Sequence, residues 1–159
     1  MDEEQWNPWR ELRGRRNVIV LFGALPAGLR AVHERRGRAH VIAIHEDADQ
    51  VERNHLLAHE LVHIERGGGC PGAGWRPSPW GPVVMREEER VETIVARRLV
   101  PERALARLAW NACETEGRLD AWVVAEEFRV PQHVAERALW LLDPDSVPAP
   151  RLADVQQAG

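Results

Sequence analysis

Apolar positions along this chain follow two periods: short β-branched runs in the first third, then spacing of about 3.6 residues. Residues 18–22 (VIVLF) form one such run, bounded downstream by Gly23 and Pro26, and residues 40–45 (HVIAIH) form another, so both predict buried strands. Residues 29–38 carry four Arg around Gly37 and predict a solvated turn between them. At Asp49 the period changes. Asp49-Gln50-Val51-Glu52 has the form of a capping box, an oxygen for the orphan amides with an acid three residues on, so a helix starts near Gln50. Gly67 to Gly69 supply its stop. With His59 at zero degrees, Leu56, Leu57, Leu61 and Ile64 fall on one side and Val51, Ala58 and Val62 on the other, so this helix is apolar around most of its girth and is expected to be buried.

A second helix is predicted from Glu87 to Leu99 or Val100, stopped by Pro101. With Glu88 at zero degrees, Glu92, Val95 and Leu99 share its face, while Glu87 and Glu89 point away to either side. Helical spacing continues from 102 to 142, through Ala104, Leu105 and Leu108, then Ala121, Val124 and Phe128, and, past Arg129-Val130-Pro131, Val134, Ala138 and Leu139. Residues 67–82 hold four Pro and six Gly and must be loop, either a flap that covers a site with Trp75 and Trp80 or a plain connector. The pattern as a whole predicts an α+β fold: a small mixed sheet packed on a helix bundle that carries a metal site. Its expected divisions are an N-terminal arm over 1–16, a core over 17–101, a C-terminal helical subdomain over 102–142 and a disordered tail over 143–159.

Composition narrows the partners. A net charge of -4 and a pI near 6.0 give no electrostatic footprint for nucleic acid or an anionic membrane. The turn at 129–131 has helix-turn-helix spacing, yet residues 102–142 carry five Arg against seven Asp or Glu, a balance that repels phosphate. Packing or docking of a protein partner is the expected role, with no direct nucleic-acid binding. No apolar run of 18 residues and no basic-then-apolar leader is present, so a cytoplasmic protein is expected. Cys70 and Cys113 are not a close-spaced metal pair and are expected as free thiols, with Cys70 an alternative ligand.

The candidate chemistry lies in His59-Glu60-Leu61-Val62-His63. On a helix rising ~1.5 Å per residue, imidazoles four apart stack on one face and can grip one Zn²⁺. Glu60, turned ~100° round the helix, reaches the edge of the same site as a proton acceptor. A buried helix bearing two adjacent imidazoles needs a partner for them, since unpaired buried polar groups cost ~1–3 kcal/mol each. An acid on the apolar face of the second helix needs a cation for the same reason, which picks Glu88 as third ligand, with Glu92 one turn on as an outer acceptor for a ligand imidazole.

Residues 40–142 resemble the ImmA/IrrE family of zinc metallopeptidases, through LLAHELVH, the acidic helix EEERVETIVARRLVP and the AEEFRVP turn. The resemblance implies His59, His63 and Glu88 as zinc ligands, an open fourth position for water and Glu60 as general base. It further implies cleavage of a helix-turn-helix transcriptional repressor encoded nearby, an anti-repressor regulation typical of a phage or mobile element. Val62 stands where that family usually has Gly, and Glu92 where a shorter Asp or Asn is more usual. The chain has no Tyr to steady an oxyanion, leaving His55, His45 or an Arg as candidates. The alternative is a non-catalytic metal-binding regulator or toxin-antitoxin component acting by protein–protein interaction, its zinc closed by a fourth side chain.

Overall fold

The computed structural model describes residues 5–67, 81–115 and 117–147. Its order is α1 (Pro8–Gly14), β1 (Val18–Gly23), β2 (Ala31–Arg36), β3 (Ala39–His45), α2 (Gln50–Glu65), α3 (Gly81–Leu99), α4 (Glu102–Thr115), α5 (Ala121–Phe128) and α6 (Gln132–Leu141), with a 3₁₀ turn at Pro144–Ser146. The fold is α+β. Three strands form a mixed sheet in the order β1-β3-β2, β1 parallel and β2 antiparallel to β3. No described helix is long and apolar enough to cross a membrane.

The solvated turn expected over 29–38 is a strand instead. Arg36 pairs with Ala39 across a two-residue loop whose first member, Gly37, has φ 63°, the left-handed geometry that a type II′ hairpin asks of its first central residue. β2 is an edge strand, and Glu34, Arg35 and Arg36 are all exposed. Charge on an edge blocks pairing with another chain, which is why a strand here has the composition of a turn.

α2 is capped as its sequence requires. Asp49 Oδ1 accepts the Glu52 N–H at 2.9 Å. The reciprocal half of the box is diverted, for the Glu52 carboxylate pairs with Arg30 at 2.5 and 2.6 Å. α2 separates two apolar clusters. Leu57 and Leu61 pack on Ile42 and Ile44 of the sheet, together with Val18 and Ala48. Ala58 and Val62, on the other side, pack into a cluster with Val91, Val95 and Leu99 of α3, Leu105 of α4, Val124 and Phe128 of α5, and Val134 and Ala138 of α6. Each buried Val, Leu, Ile or Phe side chain among them contributes ~1.5–3 kcal/mol, so α2 is held from both sides and cannot rotate without exposing one cluster.

α3 begins at Gly81, six residues before the predicted start, and the proline-rich residues 68–80, with both the flap and Cys70, lie outside the described residues. Residues 8–14 of the expected arm are helical. Gln5 Nε2 donates to Leu99 O and to Phe128 O, both at 2.8 Å, and Trp9 Nε1 donates to Asn54 Oδ1 at 2.6 Å. The amino-terminal segment is therefore tied to α2, α3 and α5. Of the expected tail, residues 148–159 are not described.

Candidate metal centre

Two helices build this site. Along α2, His55, His59 and His63 recur every four residues on one face. Along α3, Glu88 and Glu92 do the same, and the α2–α3 packing through Ala58, Val62, Val91 and Val95 sets the two faces opposite each other.

His59, His63 and Glu88 converge. The two imidazole Nε2 atoms are 3.0 Å apart, His59 Nε2 is 3.3 Å from Glu88 Oε2, and His63 Nε2 is 3.3 Å from Glu88 Oε1. Atoms held ~2.0–2.1 Å from a tetrahedral ion stand roughly 3.3–3.4 Å from one another. Each nitrogen stands at that distance from one Glu88 oxygen, His59 from Oε2 and His63 from Oε1, while the two nitrogens are slightly closer to each other, at 3.0 Å. Glu88 Oε1 is buried with no hydrogen-bond partner of good geometry, although His63 Nε2 is close, so proximity without alignment characterises that pair. A cation at the centre gives the oxygen and both ring nitrogens a common partner, and the donor set fits a divalent metal.

The tautomer of His59 agrees with that role. Its Nδ1 lies 2.7 Å from Glu92 Oε1. A carboxylate only accepts, so Nδ1 carries the proton, and the neutral ring is left with its Nε2 lone pair directed into the triangle. Glu60 is 2 % exposed and His63 1 % exposed, so the general-base candidate and one ligand candidate are shielded from bulk water.

The carboxylates are tuned by these imidazoles. The adjacent His59 and His63 imidazoles hold the Glu88 carboxyl down at about 2, against burial that works the other way. Burial pushes Glu92 upward, and the bonds from His55 and His59 outweigh it, leaving Glu92 well below the ordinary glutamate range. The neighbouring acids are engaged elsewhere. Glu87 pairs with Arg66, and Glu89 with Arg137 of α6. The structure thus brings His59, His63 and Glu88 together, with Glu60 one residue along and Glu92 behind His59.

Of the residues considered for an oxyanion, His55 has Nε2 3.5 Å from Glu92 Oε2 and its ring edge-on to His133. His45 Nδ1 accepts the Asp47 N–H at 3.2 Å. A histidine that sequence pattern did not single out is His33 of β2, buried beside His63 closely enough that burial, His40 and His63 all lower its pKa. Its Nε2 lies 2.8 Å from His40 Nδ1. Only the strand assignment of β2, which its charge obscured, would have pointed to it. In comparison with known proteins, no family model matches this chain and no curated protein does.

Proposed function

We propose that this protein is a zinc-dependent endopeptidase of the ImmA/IrrE type, acting in the cytoplasm on a helix-turn-helix transcriptional repressor encoded nearby. The observation that carries the proposal is the convergence of His59, His63 and Glu88, with the two Nε2 atoms 3.0 Å apart and each 3.3 Å from a Glu88 oxygen, and with a buried Glu60 on the same helix. Two nitrogens and one carboxylate oxygen are the donor set that favours Zn²⁺ and leaves a coordination position for solvent. A Zn²⁺ ion bound there supplies Lewis acidity to a peptide carbonyl and to the attacking water.

The chain's own residues do the rest. Glu60 accepts the proton of the attacking water and passes it to the leaving amine. Glu88, ionised down to about pH 2, stays a competent anionic ligand across the physiological range. Glu92 holds the proton on His59 Nδ1 and so fixes the ring's orientation. The substrate class comes from the resemblance carried by LLAHELVH and the acidic helix, and anti-repressor regulation follows from it.

The test is Glu60→Gln with the adjacent repressor as substrate. The variant is expected to retain one tightly bound zinc and to lose cleavage, read by mass spectrometry of the products. Equal cleavage by variant and wild type removes Glu60 from the chemistry, and zinc binding without cleavage by either favours the non-catalytic regulator.

A further inference from the structure

Next to the triangle lies a second cluster of ligand-type side chains, drawn from three helices. His55 stands one turn before His59 on α2, Glu92 one turn after Glu88 on α3, and His133 in the first turn of α6. His55 Nε2 is 3.5 Å from Glu92 Oε2, and the His55 and His133 rings meet edge to face with centroids 4.8 Å apart. One ligand atom from each of the three lies within 4.8 Å of the others.

We propose that His55, Glu92 and His133 form a second, exchangeable site for a divalent transition-metal ion. Two imidazoles and a carboxylate suit Zn²⁺, Co²⁺ or Ni²⁺ and disfavour Mg²⁺ or Ca²⁺, which take oxygen donors. The 3.5 Å separation of His55 and Glu92 is close to a tetrahedral edge of roughly 3.3–3.4 Å, so two of the three donors are in place. His133 is exposed, so its side chain is free to change rotamer, and one of its ring nitrogens already lies within 4.8 Å of the other two ligand atoms. His55 and His133 line an open cleft of about 420 Å³ with Val51, Leu56 and Pro131, which gives an ion a path and water room for its remaining positions.

The cluster differs from the first triangle in accessibility. His63 is 1 % exposed, whereas His133 faces solvent, so the second ion is held more loosely and exchanges faster. Glu92 serves both places at once: Oε1 meets His59 Nδ1 and Oε2 meets His55 Nε2. The proposal does not rest on proteolytic activity or on occupation of the first triangle.

The experiment uses metal-stripped full-length protein titrated with Zn²⁺ against a chromophoric chelator, with bound metal counted by elemental analysis at the plateau. Wild type is expected to bind two equivalents, the second at least tenfold weaker. His133→Ala and His133→Gln are each expected to bind one, the tight one, with unchanged circular dichroism. His63→Ala is expected to lose the tight equivalent and keep the weak one. One equivalent in wild type that His133→Ala retains overturns the second site, as do two equivalents in both His133 variants. A single equivalent lost in His133→Ala and kept in His63→Ala supports the second site and instead overturns the first.

Discussion

His59 meets Glu92 across the α2–α3 contact, Nδ1 to Oε1 at 2.7 Å, so the ring that offers a lone pair to the triangle is oriented by the opposite helix rather than by its own. An outer acceptor of this kind fixes the tautomer and raises ligand basicity. Removing it by Glu92→Ala is expected to weaken the tighter zinc by ~10- to 100-fold, read by chelator competition, since the looser equivalent is lost as well. An affinity equal to that of wild type would mean that helix geometry alone orients His59.

Three adjacent acids, Glu87, Glu88 and Glu89, separate cleanly by direction. Glu87 faces Arg66, Glu89 faces Arg137, and Glu88 alone faces two imidazoles. Glu88→Ala is expected to abolish tight zinc binding, whereas Glu87→Ala and Glu89→Ala retain it and change stability little, because their ion pairs with Arg66 and Arg137 lie at the surface. Elemental analysis of the three purified variants decides the matter. Loss of zinc from the Glu89 variant alone would reverse the assignment.

Where local rules govern, the sequence was readable. The Asp49 cap, the girdle of apolar residues around α2 and the facing of Glu88 and Glu92 all follow from a 3.6-residue period and near-neighbour chemistry. β2 was hidden because an edge strand protected by charge looks like a turn. The first turn of α3 was hidden because Gly81 and Pro82 end a proline-rich run, although Pro is well tolerated in a first helical turn where its missing N–H has no partner to lose. His133 carried no local signal at all. Its approach to His55 depends on α6 packing back toward α2 and α3, a tertiary fact that periodicity does not contain.

A second electrostatic junction lies at the far end of α2. Arg98 Nη2 is 2.7 Å from Glu65 Oε2, and Arg15 pairs with the other oxygen. Burial raises the Glu65 pKa, but the two guanidinium groups outweigh it and leave the carboxyl below its ordinary value. A depressed folded-state pKa stabilises above the unfolded value, ~4.3, and the contribution disappears as pH falls through the lower folded value. Glu65→Gln should therefore be less stable than wild type by ~1 kcal/mol at pH 7 in urea unfolding of metal-free protein, with the gap closing below about pH 4. A gap independent of pH would show that packing, not charge, explains the loss.

Val62 tests whether the α2–α3 interface is overfilled, because the resembling family usually has Gly there. Its side chain is fully buried among Val91, Val95 and their neighbours, while the ligand atoms of Glu88 still reach both imidazoles at 3.3 Å. The larger residue has thus not held the second helix away from the site. Val62→Gly removes a buried isopropyl group worth ~1.5–3 kcal/mol and adds the ~1 kcal/mol cost of Gly inside a helix, so a loss of roughly 3 kcal/mol in urea unfolding is expected. Tight zinc binding should persist in the folded fraction, because none of the donors is touched. If the variant were instead as stable as wild type or bound zinc more tightly, Val62 would be acting as a wedge between the helices, and closer approach of α3 would be improving the triangle.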